Sequence, residues 1–186
     1  MTEIAVRVLD ESEWSLYRDA RLRALEESPD SFTASMADEA ERDEQFWRDR
    51  MIRSSRLLAE RDTTVGIASV GPYATDPTAA ELFGLYVVPD ARSSGVASRL
   101  VDAAIALASQ RGYRRLYYWA GTDNARAIGF GKNVGFRTTG HRRPARASDL
   151  DLGEQEMAMV MSLEPDATSA PNPTSWTASS REGPAR

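Results

Sequence analysis

The sequence predicts one α/β domain of the α+β kind, with a central mixed, mostly antiparallel sheet of about seven strands flanked by about four helices. Three observations carry that expectation. Residues 56–61 and 64–70 are two apolar, β-prone runs on either side of Asp62-Thr63, the pattern of an antiparallel hairpin. Residues 81–88 (Glu-Leu-Phe-Gly-Leu-Tyr-Val-Val), an Ala- and Leu-rich stretch from Val96, and residues 115–120 alternate strand, helix and strand, which is how a parallel βαβ unit reads. Residues 137–142 and 155–163 add two last strands expected to pair antiparallel.

The remaining elements follow in order. Residues 3–9 alternate as a first strand. The acidic run 10–13 caps a helix from Trp14 to Glu27, stopped by Ser28-Pro29, with Trp14, Tyr17, Leu22 and Leu25 as its buried stripe. Asp38 to Ile52 reads as a second helix with Phe46, Trp47 and Met51 turned inward. Gly71-Pro72 interrupts the third strand, and Tyr73 to Ala80 is expected to be a loop. Val96, Leu100, Ala104 and Leu107 form the stripe of the third helix, which Gly112 ends, and a short helix follows Asn124. Residues 1–164 thus form the domain. From Pro165 to Arg186 the chain is Pro, Ser, Thr, Asn and Ala around a lone Trp176, a composition expected to stay disordered.

Composition closes off several chemistries. With 186 residues the chain buries a core without staples, and with no Cys it has no disulfide, thiolate metal site or thiol nucleophile. A single histidine, His141, argues against a His-rich metal centre or a His-based triad, so no metal is expected. No apolar run reaches the ~18 residues of a membrane span and the N-terminus lacks a basic-then-apolar signal, so the expectation is a cytoplasmic protein without membrane contact. The net charge of −5 is uneven: residues 90–147 carry 11 Arg or Lys against three acids, or +8, leaving −13 elsewhere. A basic half suits a phosphorylated small ligand. Nucleic acid is not expected, because those arginines are scattered without stacking aromatics between them. The acidic half favours a cationic second substrate, or is a solvated face.

The turn between residues 88 and 97 concentrates the chemistry. Arg92-Ser93-Ser94-Gly95-Val96-Ala97 joins a strand to a helix start, and the unpaired N–H groups of such a turn, reinforced by the helix dipole, suit a pyrophosphate; an ordinary βα turn reads the same. Farther on, Asn124-Ala125-Arg126-Ala127-Ile128 leads through Gly131 to Gly135-Phe136. In these two segments, in this order and at this spacing, the sequence resembles the GNAT superfamily of N-acetyltransferases, with an Arg/Gln-x-x-Gly-x-Gly/Ala loop and an Asn-x-x-Ala-Ile helix running into Gly-Phe. The likeness covers residues 3–163.

That resemblance implies a V-shaped cleft between strands four and five that binds acetyl-CoA as cosubstrate. It implies that backbone groups of Leu85, Tyr86 and Val87 pair with the pantetheine arm, with the Tyr86 or Val87 N–H facing the thioester oxygen as oxyanion donor. Arg92, Ser93, Ser94, Gly95, Val96, Ala97 and Ser98 would hold the pyrophosphate and Asn124 the pantetheine arm, Asn124 also being a natural N-cap. Ser93 stands where relatives have Gly, so it is expected to avoid positive φ. Glu81 begins strand four, eleven residues before Arg92, where family members place a base; a solvated strand-end carboxylate is the other reading. Phe32, in the connection after the first helix, is expected to line the acceptor pocket or to plug the end of a helix pair, and Trp119 to border the space beyond the sulfur. Seven residues after Asn124, where the family has a Tyr that protonates the thiolate, this chain has Gly131, leaving Tyr117 or Tyr118 as substitutes. The implied activity is acetyl transfer to a primary amine of a small molecule or peptide by direct attack. A catalytically weak coenzyme-binding sensor is the alternative, and a homodimer through the last strands fits either.

Overall fold

The computed structural model describes residues 3–32, 34–145 and 155–164; the expected C-terminal tail and part of the last inter-strand loop lie outside them. Twelve elements follow in chain order: β1 Ala5–Val8, α1 Trp14–Glu27, α2 Met36–Ala40, α3 Glu44–Arg53, β2 Ser55–Arg61, β3 Thr63–Tyr73, β4 Asp76–Val87, α4 Val96–Gln110, β5 Arg115–Gly121, α5 Ala125–Asn133, β6 Arg137–Pro144 and β7 Gln155–Ser162. The seven strands make one sheet in the order β1-β2-β3-β4-β5-β7-β6. Every neighbouring pair is antiparallel except β4 and β5, which run parallel because α4 carries the chain back between them.

The fold class is the expected one, with three local differences. The second helix is broken in two. Asp43 accepts the N–H of Phe46 at 2.9 Å and so caps a new helix, which leaves α2 as a separate turn-and-a-half capped by Ser35. The expected loop over residues 73–80 is instead the end of β3 and the start of β4: Tyr73 pairs with Asp76, so the reversal takes only Ala74-Thr75, and Asp76 Oδ1 steadies it by accepting from the N–H and hydroxyl of Thr78 at 2.9 and 2.7 Å. The buried stripes also shift. In α4 Val101 and Ala108 are buried while Leu107 is only partly covered; in α1 Ala20, Arg21 and Ala24 join Tyr17 and Leu25, and Trp14 and Leu22 sit at the rim.

Helices cover both faces of the sheet. Gly66 faces α4, where an added Cβ would stand 3.0 Å from both Val96 Cγ1 and Leu100 Cδ1, so this glycine is what lets α4 lie close on β3. Its neighbour Ile67 sits with Leu16 and Ala20 of α1 on the opposite face. There Tyr17 meets the fully buried Trp47 edge to face, ring centroids 6.0 Å apart.

A charged knot lies inside that layer. Glu39, buried on α2, accepts from Arg21 Nε and Nη2 at 3.1 and 3.3 Å and pairs with Arg50 Nη1 at 2.9 Å, tying α1 and α3 to the short helix between them. Arg56, also buried, has no carboxylate partner among the described residues. It donates to Ser69 Oγ at 2.6 Å and to the Arg50 carbonyl at 2.7 Å, its guanidinium lies 4.6 Å from the Tyr17 ring centre, and burial pulls its pKa down. Removing a carboxylate that neutralises buried cations costs far more than cutting an exposed pair. Glu39→Gln should therefore lower the unfolding free energy by about 3–5 kcal/mol, whereas Arg7→Ala, which cuts exposed pairs to Glu13 and Glu60, should cost less than about 1 kcal/mol. Urea titrations of the two variants check the contrast, and equal losses would contradict it.

Candidate active site

Parallel pairing of β4 with β5 runs from Ala79 opposite Arg115 to Leu82 opposite Tyr118 and then stops. Just beyond, β4 bulges: Ser69 pairs with Phe83 but Ile67 with Tyr86, so β4 spends one extra residue there, and Gly84 takes φ +62° to make the kink. Phe83 and Tyr86 consequently both face α1. Phe83 lies against Arg56, which also covers Tyr17, and the Tyr86 hydroxyl donates to Glu27. The strands part past the bulge, and a cleft of about 1220 Å³ opens between them.

One wall of the cleft is formed by Leu85, Tyr86 and Val87. Its floor is the turn into α4. Pro89–Ala91 is a single 3₁₀ turn, Gly95 has φ +88°, and α4 starts at Val96, so the N–H groups of Val96, Ala97 and Ser98 have no carbonyl four residues back within the helix. An added Cβ on Gly95 would meet nothing within 4 Å: the space above it is open, and glycine is there for its backbone angle alone. Ser93 departs from expectation. Its φ is +64°, the left-handed region the sequence reading excluded, so the loop keeps the shape a glycine would give it and the serine bears the strain.

The other expected residues fall into distinct places. Arg92, Ser93, Ala97 and Ser98 line the cleft. Ser94 turns its hydroxyl to the loop itself, donating to the Ala91 carbonyl at 2.7 Å and accepting from Arg61 at 3.3 Å, and the Val96 side chain is buried in the core. Arg92 spans the cleft end, donating from Nε to the Val87 carbonyl and from Nη2 to Ser28 Oγ, both at 3.1 Å. Asn124 lines the cleft and caps α5, its Oδ1 accepting the Ala127 N–H at 2.9 Å. Phe32 and Trp119 line the far end. The Tyr86 phenol is pushed above its usual range by burial and by the Glu27 carboxylate, which is itself held low by the Tyr86 and Arg23 bonds; that side chain is committed to α1. The Tyr86 peptide groups pair with Ile67 of β3, and it is those of Val87 that turn outward.

Glu81 is not among the cleft-lining residues. It pairs with Arg143 Nη2 at 3.6 Å and lies near Glu156, and burial, with that neighbouring charge, raises its pKa against the pull of Arg143. Among the described residues three other carboxylates line the cleft, those of Asp30, Asp123 and Glu156; the last, on β7 and beside Glu81, is one that sequence reasoning missed. Its signal lay in the pairing: Glu156 stands directly across from Arg143 and accepts from its Nε at 2.8 Å. Of the two candidate tyrosines, Tyr118 lines the cleft while Tyr117 stacks on Tyr73, ring centres 4.2 Å apart. Tyr118 is mostly buried, and burial together with the Glu156 charge raises its pKa. Gly131 faces the same spot. A Cβ there would stand 2.9 Å from Met159 Sδ and 3.6 Å from Tyr118 Cδ1, so the room a larger residue would use is already taken.

With this geometry in place, comparison with known proteins is decisive. The acetyltransferase (GNAT) family model matches residues 17–136. The chain belongs to the GNAT acetyltransferase family. This GNAT domain matches an uncharacterized N-acetyltransferase of Methanocaldococcus jannaschii at 40% identity over 57 residues, which is 31% of the chain and 25% of that relative, so the match spans a quarter of the relative's length. Among solved structures it superposes on a protein assigned to the GNAT family from Desulfovibrio desulfuricans with TM-score 0.66 and 17% identity, covering 87% of this chain and 100% of the other. The Salmonella typhimurium yncA protein, solved with its cofactor acetyl-CoA, gives TM-score 0.66 at 17% identity over 88% and 96% of the two chains. The ribosomal-protein-alanine N-acetyltransferase of Brucella melitensis gives 0.65 at 21% over 85% and 99%. These likenesses show the shared fold. Among the described residues no helix is long and apolar enough to cross a membrane, and no three His, Cys, Asp or Glu are grouped to hold a metal.

Because Ser93 holds a left-handed angle without being glycine, Ser93→Gly should stabilise the GNAT domain by about 0.5 kcal/mol, raising Tm by roughly 1–2 °C. Calorimetric melts compare the two proteins; a lower Tm would mean that the serine side chain, rather than the backbone angle, holds the loop.

Proposed function

We propose that this GNAT domain transfers the acetyl group of acetyl-CoA to a primary amine of a small molecule or peptide by direct attack in a ternary complex. The observation that carries the reading is the cleft where β4 leaves β5, floored by the open amides at the start of α4. Those amides and the dipole of a 15-residue helix suit a diphosphate. The Ser93 and Ser98 hydroxyls and Arg92 line the same space, and the exposed edge of Leu85–Val87 suits the amides of an extended pantetheine arm. Bound there, acetyl-CoA supplies the activated thioester.

The chain's own groups then have four tasks. Glu81, through water, takes the proton that the acceptor's ammonium must lose, because only the neutral nitrogen has a lone pair to attack with. Of the two expected oxyanion donors, the Tyr86 N–H faces Ile67 in the β3–β4 ladder, so the Val87 N–H donates to the carbonyl oxygen as it gains charge. Phe32 and Trp119 shape the acceptor end. Tyr118 gives its phenolic proton to the departing sulfur, the task Gly131 has no atoms for, and its raised pKa keeps that proton available at neutral pH. The new C–N bond replaces the C–S bond. Of the two protons the ammonium sheds in becoming an amide nitrogen, the first leaves through Glu81 to solvent, and the second, released as the tetrahedral adduct collapses, replaces through water the proton that Tyr118 gives to the sulfur.

Gly131 also favours a second reading, a domain that binds the coenzyme but turns over poorly. Acetyl release measured against an amine panel, beside calorimetry with CoA, separates the two: binding without turnover on any amine selects the sensor. On the first reading, activity needs Glu81 ionised. Since burial raises its pKa, kcat should fall as pH drops through a value above the ordinary carboxylate range and be full above it. Glu81→Gln should erase that acid limb and lower kcat by about 10²–10⁴-fold while leaving CoA affinity unchanged. Tyr118→Phe should lower kcat within the same range and Tyr117→Phe should not; equal effects of the two would remove Tyr118 from the reaction.

A further inference from the structure

Four strands bring one group each to a single point at the far end of the cleft. The Arg143 guanidinium lies on the indole face of Trp119, 4.1 Å from the ring centre, with Nε 2.8 Å from Glu156 and Nη2 3.6 Å from Glu81. The reach is long. In the order β4-β5-β7-β6, Arg143 stands on β6, Glu156 on β7, Trp119 on β5 and Glu81 on β4, so the arginine side chain crosses two strands, spaced about 4.8 Å apart, to meet Glu81. It also stays 44% exposed, while the two carboxylates are only 20% and 21% exposed. An aromatic face flanked by two shielded carboxylates is a receptor for a cation. Two negative charges against one guanidinium leave it net negative, and Trp119 and Glu156 both belong to the cleft wall. The Trp119 Nε1–H, buried and without an acceptor among the described residues, adds a donor on the same ring.

We propose that Trp119 with Glu156 is the seat for a positively charged group of the acceptor, with Glu81 beside it kept for the nitrogen that reacts, and that Arg143 fills the seat as an internal stand-in until the acceptor arrives. The inference rests on the acetyltransferase reading and narrows its substrate class: the acceptor is a dibasic amine, one nitrogen acetylated while a second charge sits on the indole. Displacing Arg143 costs its cation–π contact and two ion pairs, all at a partly exposed position where each is weak; the incoming cation remakes the contact with the indole and the pair with Glu156, and Glu81 is released from Arg143. The seat thereby prefers doubly charged acceptors, and a singly charged amine forfeits the exchange.

The test is calorimetric binding of 1,5-diaminopentane and 1-aminopentane to the full chain, beside acetyl transfer to both. The diamine should bind at least about 10-fold more tightly, a cation–π contact with one ion pair amounting to ~1.4 kcal/mol or more. Arg143→Ala, removing the competitor, should tighten the diamine by about 3–10-fold, with Arg143→Lys falling between. Glu156→Gln should erase the preference. Equal binding of the two amines, or weaker diamine binding by Arg143→Ala, would mean that Arg143 and Glu156 are only a cross-strand pair, and would overturn the seat. Diamine binding without acetylation of either amine would instead sink the acetyltransferase reading and leave the seat standing; turnover of both amines with no preference would sink the seat alone.

Discussion

The constraint on which the rest depends is the parting of β4 from β5. A parallel pair that stayed zipped would satisfy its own hydrogen bonds and leave no space between the strands. Here the ladder ends at Leu82 and Tyr118, the bulge at Gly84 re-aims β4, and beyond it the edge of β4 toward β5 has no strand partner, the Val87 carbonyl being met instead by Arg92 Nε. An exposed strand edge is ordinarily a liability that invites another chain. At the bottom of a cleft it becomes a template for an extended, amide-bearing ligand. The same divergence sets the start of α4 beneath the opening, so one backbone decision creates both the slot and the charge-complementary floor.

Strain and burial gather around that opening. Three consecutive features of the β4–α4 passage, the Gly84 bulge, the left-handed Ser93 and the left-handed Gly95, sit in backbone conformations that regular structure avoids. They are held from outside: α4 is anchored on β3 through Gly66, Arg92 clips the passage to Ser28 and the Val87 carbonyl, and Tyr86 is tied to Glu27. The acceptor end is supported differently, by side chains reaching in from β6 and β7 on the far side of β5. On the proposed reading, the floor offered to the coenzyme is mostly backbone and tolerant of side-chain change, whereas the end proposed for the acceptor is mostly side chain and free to vary.

That division explains what could be read from the sequence. The strand–loop–helix run at residues 81–97 and the Asn124 segment were legible because both encode local backbone events, a turn and a cap, whose residues sit next to one another in the chain. The helix break at Asp43 and the two-residue reversal at Ala74-Thr75 escaped because Asp and Pro there fit a continuous amphipathic stretch and a loop equally well. Ser93 defied propensity because its surroundings fix the loop shape more firmly than one side chain resists it. Glu156 and Arg143 were invisible for a plainer reason: they meet Trp119 and Glu81 only once the sheet order places β7 between β5 and β6, and no spacing along the chain records that. Tyr118 and Tyr117 are distinguished by strand alternation alone, which needed the register to be known.

On the proposed function, the amides opening α4 grip the diphosphate of the coenzyme. Backbone amide resonances followed by NMR during a CoA titration test it at the atoms concerned. The N–H signals of Val96, Ala97 and Ser98, with Ser93 and Gly95 ahead of them, should move together downfield with saturation, and pantetheine lacking the nucleotide should leave them in place. If CoA binds while those five signals stay still and the shifts fall elsewhere, the helix start is an ordinary turn and the account built on it is wrong.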